Sequence, residues 1–154
     1  MDEKFLTAFR AAATSTFKDM FGVEAVSAAP SELGANEDHA WDLTGLVGLA
    51  GQVHGVVAFR LTAKFAAALL GKTGVDISAE GDNKELVGGL VGEVTNIIAG
   101  AASSSLESYE FEIAPPVVIR GPNHRISWPA IAPVLGLRFS CAEGSFEIDL
   151  CAKL

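Results

Sequence analysis

Residues 92–102 read GEVTNIIAGAA, inside a longer stretch from Glu85 to Leu106 that reads ELVGGLVGEVTNIIAGAASSSL. The spacing predicts a long helix. At ~100° per residue, with Glu93 at zero, Leu86, Leu90, Ile97, Ala101, Val94, Val87, Ile98 and Val91 fall in an arc from about 20° to 160°, which is expected to face the core. Glu93 and Asn96 stand at i and i+3 on its border. Gly89, Gly92 and Gly100 fall on the same flank, where no apolar side chain is expected. A glycine inside a helix costs ~1 kcal/mol relative to alanine, so the glycine content calls for a physical reason. Two stay open. A bare flank lets a second macromolecule approach the backbone while one carboxylate and one carboxamide project from it. Alternatively, the glycines admit a neighbouring helix of the same chain, and Glu93 and Asn96 are merely solvated, as many i,i+3 polar pairs are.

Upstream of this helix, Asp82 is a candidate N-cap with Glu85 three residues on, the pattern of a capping box, and 75–81 read as a linker. A second amphipathic helix is predicted over residues 2–21, where Phe5, Leu6, Phe9, Ala12, Ala13, Thr16, Phe17, Met20 and Phe21 share one face. Gly22 suits its C-terminal cap. A short extended stretch follows over 23–28, and 30–38 read as a loop. Trp41 to Leu49 and Val53 to Leu61 alternate as a hairpin. Pairing Leu49 with Val53 across Ala50-Gly51-Gln52 puts both apolar sets on one face.

A short helix starts at Thr62 or Ala63, with Phe65, Leu69 and Leu70 inward. Beyond the long helix, Tyr109 to Ile113 alternates as a strand. Residues 115–133 hold five of the six prolines, which predicts an edge strand over Val117 to Ile119 followed by an irregular excursion. Leu135 to Cys141 and Phe146 to Ala152 close the chain as a second hairpin across Ala142-Glu143-Gly144-Ser145. In that register Cys141 and Cys151 face opposite sides of the sheet, so no disulfide joins them.

The order helix, strand, hairpin therefore occurs twice. This weak internal duplication predicts an α+β fold, a two-layer domain over residues 1–154 with two long helices on one face of an antiparallel sheet. Aligning Gly22 with Gly100 places Ser15 and Lys18 where the second copy has Glu93 and Asn96. Only the second copy carries the pair.

Composition narrows the function classes. The 154 residues are 49 % hydrophobic and 19 % charged, as expected of one globular core. A formal net charge of −8 without a Lys/Arg cluster argues against nucleic acid or an anionic membrane surface as partner. No uninterrupted apolar run has the length of a membrane span, and the acidic start Met-Asp-Glu-Lys lacks the basic region of a secretion signal. A cytoplasmic location is expected. His39, His54 and His124 stand in separate segments, and neither cysteine has a CxxC neighbour, so no metal or redox motif is read. A small-molecule enzyme or carrier has little support, since no nucleotide loop, metal cluster or nucleophile–base pair is read.

Taken together, these residues resemble the CheC, CheX and FliY phosphatases of bacterial chemotaxis, CheX most closely. The likeness spans nearly the whole chain, in the duplicated helix-plus-hairpin layout and in QVHGVVAFRL at 52–61. Its specific part is GEVTNIIAGAA, where Glu93 and Asn96 match the family's Glu-x-x-Asn, and Pro115-Pro116 resembles the proline that ends the signature. Two departures are visible. Gly89 stands where the family has Asp or Ser, which removes a subsidiary contact, and the spacing from Asn96 to Pro115 is shorter than the family's by about three residues, which implies a shorter loop.

The resemblance implies a hydrolase acting on a protein: the aspartyl phosphate of a CheY-like receiver domain, in a chemotaxis-type signal. Catalytic roles fall on Asn96, which would hold the attacking water, and on Glu93, which would pair with a lysine of the receiver. Gly89, Gly92 and Gly100 would be the flank that admits the partner. No cofactor of its own is implied, and Mg²⁺ is expected in the receiver. A homodimer paired at sheet edges is expected, with no nucleic acid and no membrane. The alternative is a non-catalytic CheX-like module that docks on a receiver or flagellar switch protein.

Overall fold

In the computed structural model, which describes residues 3–33, 41–74 and 83–154, the chain is α+β. Three helices pack on one face of an antiparallel eight-stranded sheet. The elements are α1 (Glu3–Phe21), β1 (Val26–Ser27), β2 (Ser31–Glu32), β3 (Leu43–Gly51), β4 (His54–Leu61), α2 (Ala63–Gly71), α3 (Lys84–Ser105), β5 (Phe111–Ile113), β6 (Val117–Arg120), β7 (Leu135–Cys141) and β8 (Gly144–Lys153). The order across the sheet is β1-β7-β8-β4-β3-β5, with β2 also on β7 and β6 also on β3. Exchanging α1 to β4 with α3 and β5 to β8 leaves this order unchanged. The duplication read in the sequence is thus a palindrome in space, in which each half lays its two short strands on the other half's hairpin.

Local chemistry accounts for the boundaries. Gly22 takes φ +65 at the end of α1, its N–H donating to the Lys18 carbonyl at 2.9 Å, a conformation glycine adopts without penalty. Thr62 caps α2 by accepting from the Phe65 N–H at 3.1 Å. Of the expected capping box of α3, Asp82 lies outside the described residues, as does the 75–81 linker. Asn83 is the residue before the helix, and its side chain makes no capping bond there.

Both hairpins run two residues away from the expected register. Leu49 pairs with Gly55 rather than Val53, and Leu135 pairs with Leu150. A two-residue slip preserves the pleat, so every side chain keeps its predicted face. Phe17 stacks on Phe146 at 4.0 Å and Phe146 on Phe139 at 4.7 Å, locking α1 to the β7–β8 hairpin. Both cysteines are free, as the opposite faces require. Cys141 packs against the helix-side core, while Cys151 is buried on the other side, near the carbonyls of Pro129 and Ala132.

The sheet's second face is also partly covered. Thr44, Arg60 and Asp149 are fully buried there, and the proline-rich excursion lies over part of it. One expectation is corrected: α3 has the length and composition of a membrane span, its 22 residues containing an 18-residue window of mean hydropathy 1.4. Part of its apolar surface faces the core instead: Val87, Val91, Val94 and Ile98 are buried in it.

Candidate functional site on helix α3

The rotation of α3 about its axis decides what the helix offers to solvent. Its buried residues are Val87, Val91, Gly92, Val94, Thr95, Ile98, Ala99 and Ala102. Relative to the expected arc, this set is turned away from Glu93 by most of a right angle. Small residues make the difference. Thr95 hydrogen-bonds its hydroxyl to the Val91 carbonyl at 2.6 Å and sits where Gly45 of β3 has no side chain; a Cβ there would stand 2.0 Å from the Thr95 Oγ1. The helix can therefore approach the sheet closely. A pattern scored by hydrophobicity gives Thr95, Ala99, Ala102 and Gly92 little weight, yet all four are buried.

Glu93 lies about 160° around the helix from Thr95, and both Glu93 and Asn96 are exposed. The sheet seam thus fixes their orientation from behind. Of the three glycines expected on the open flank, two are there: a Cβ on Gly89 or on Gly100 would meet nothing within 4 Å. Gly92 is a correction. It is buried, with Val118 and Pro116 at 3.5 and 3.7 Å from where its Cβ would lie, so it serves the packing of the β6 segment rather than the open face. Pro116, noted in the sequence as a match to a signature, closes on α3 at this point. Gly88 similarly faces Arg120 at 3.2 Å, whose guanidinium donates to the Lys84 carbonyl.

Leu86 and Ile97, assigned to the core by periodicity, are not in it. Leu86 is 50 % exposed and Ile97 is half-buried. They stand within about 20° and 40° of Glu93 around the helix. The open face is consequently a polar pair on a glycine-flattened surface, with an apolar residue toward each end. The mirror positions on α1, Ser15 and Lys18, are also exposed. There Lys18 reaches Glu24 at 3.7 Å and Ser15 bonds back to the Ala12 carbonyl at 3.3 Å, and neither residue type carries a carboxamide. Among the described residues no group of three or more His, Cys, Asp or Glu side chains stands together as a metal site would require.

Residues 43–140, which include the whole of α3, match the family model described as chemotaxis phosphatase CheX. The chain belongs to the CheX family. Its structure is similar to a chemotaxis protein CheX from Desulfovibrio desulfuricans, with TM-score 0.87 and 29 % identity over 97 % of this chain and 99 % of the other. It is similar to the CheX of a CheX–CheY–BeF₃–Mg²⁺ complex from Borrelia burgdorferi, with TM-score 0.78 and 29 % identity over 97 % and 98 %. Thermotoga maritima FliY, with TM-score 0.68 and 17 % identity over 92 % and 83 %, shares the CheX fold. No curated protein sequence matches the chain significantly.

Proposed function

We propose that this chain hydrolyses the aspartyl phosphate of a CheY-like receiver domain, and so ends the signal that the receiver carries. The observation that supports the reading is the joint exposure of Glu93 and Asn96 on one face of α3, in a chain of the CheX family. The solved CheX–CheY complex of a relative is consistent with a receiver as substrate. In this reading the helix face enters the receiver's phosphorylation site, and Gly89 and Gly100 keep its backbone accessible. Mg²⁺ belongs to the receiver, where it offsets phosphoryl charge.

The chemistry asks little of the second protein. The carboxylate of an acyl phosphate is a good leaving group, so the missing ingredient is a water held in line. A carboxamide both donates and accepts hydrogen bonds, and Asn96 can orient a water without taking its proton. The water oxygen bonds to phosphorus, the bond to the aspartate oxygen breaks, and the electron pair leaves with the aspartate carboxylate. The proton of the water ends on inorganic phosphate. Glu93, one turn before Asn96, pairs with a receiver lysine and fixes the register.

The test is to add catalytic amounts of the chain to a phosphorylated receiver with Mg²⁺ and to follow phosphate release. Release well beyond one equivalent supports the reading; binding without turnover returns the protein to a docking module. We further propose a cytoplasmic homodimer joined at sheet edges, where Val26 of β1 and Val117 of β6 are exposed. Light scattering that gives a monomer at tens of micromolar, a range typical of modest association, contradicts the dimer.

A further inference from the structure

We propose that Leu86 is an affinity-determining contact of this face, pressing on an apolar patch of the receiver beside its phosphorylation site. The inference rests on the receiver reading above and adds where its binding energy comes from. Four large hydrophobic residues are exposed among those described: Val26, Leu86, Val117 and Leu154. Val26 and Val117 belong to short strands at the sheet's margins and Leu154 ends the chain. Leu86 alone stands on a helix, on the same side as Glu93 and about 10 Å from it along the axis.

Between the two lies Gly89, with open space where a side chain would be. Among the described residues, no side chain of α3 thus rises between Glu93 and Leu86 at the Gly89 position. Leu90, half-buried and packed against the core, holds the base of this ridge in place.

Charge argues for the same conclusion. The chain carries net charge −8, and among the described residues of α3 the ionisable one near the centre of the open face is the acidic Glu93. A phosphoaspartate site is itself anionic, so beyond the single Glu93–lysine pair of this reading long-range attraction adds little to the affinity. Apolar burial can add to it, and it also excludes bulk water from the reacting phosphoryl group, which strengthens the polar contacts inside. The apolar residues lie where such a seal is needed, Leu86 before the polar pair and Ile97 beside it.

The experiment measures the Kd of wild type, Leu86→Ser and Leu86→Met for a receiver domain activated with beryllofluoride and Mg²⁺, and the dephosphorylation rate at saturating phosphorylated receiver. Burying the exposed half of a leucine corresponds to about a five- to tenfold change in affinity. The expected result is that loss of affinity for Leu86→Ser and near wild-type affinity for Leu86→Met, with the rate at saturation lowered, if at all, only in Leu86→Ser, where the seal is broken. Melting curves establish that the half-exposed position leaves the fold intact. A Leu86→Ser Kd within about twofold of wild type, below the size of that burial effect, overturns this inference while leaving the receiver reading standing. Failure of wild type to bind any activated receiver overturns both.

Discussion

At the level of single residues, Glu93 and the open glycines differ in what their loss should do. Glu93→Ala removes a charge contact, so the expected result is weaker receiver binding whose dependence on salt is also reduced, measured as Kd against ionic strength. A variant that binds as wild type does at every salt concentration contradicts the lysine pairing. Gly89→Ala and Gly100→Ala should act oppositely on stability and binding. Each places a methyl in open space and removes a helix glycine, so denaturant unfolding should show a gain of ~1 kcal/mol. Receiver affinity should fall, because the methyl stands on the face the partner must approach; unchanged affinity would show that the partner does not reach that part of the helix. Glu93 and Asn96 were legible in the sequence as a spacing, and their shared exposure is what the structure adds. Gly92 was misplaced because a glycine has no hydrophobicity to report which way it faces.

The helix α3 depends on an element it does not touch in sequence. Gly45 of β3 leaves the space that the Thr95 hydroxyl fills, and this seam sets the rotation that turns Glu93 and Asn96 outward. Gly45→Ala should therefore destabilise by about 1–3 kcal/mol through overpacking, read from denaturant midpoints. Combining it with Thr95→Ala, which vacates the space, should recover part of the loss. Additive losses in the double variant would contradict the seam. The two long helices and both hairpins were legible because their apolar periods are strong. The rotation of α3 was not, since its buried side includes the small residues Thr95, Ala99 and Ala102, and Leu86 and Leu90 lie toward its margins. Hairpin faces were legible and registers were not, because a two-residue slip changes no face.

Across the whole molecule, the two halves share a plan and differ in what they carry. The far face of the sheet holds a buried polar chain that periodicity could not foresee. Arg60 reaches Asp149 at 3.4 Å, both side chains fully buried, and also Thr44 Oγ1 at 3.3 Å. Thr44 in turn bonds His124 Nε2 at 2.6 Å, while His124 Nδ1 lies 2.7 Å from the Gly121 carbonyl, tying the excursion to the sheet. Asp149→Ala leaves Arg60 buried without its carboxylate and should cost about 3–5 kcal/mol in unfolding free energy; a loss under ~1 kcal/mol, the scale of a surface pair, would contradict the burial.

The asymmetry between halves bears on function more directly, since α1 repeats the position of α3 with Ser15 and Lys18 in place of Glu93 and Asn96. The measurement that tests the central claim is steady-state phosphate release from a phosphorylated receiver by wild type, Asn96→Ala, Ser15→Ala and Lys18→Ala. If one half carries the chemistry by holding a water, Asn96→Ala should lose about 100-fold or more in turnover while its melting temperature holds or rises. The two α1 variants should hydrolyse as wild type does. An Asn96→Ala protein of undiminished turnover, or equal damage from all three substitutions, would contradict a single water-positioning site on α3.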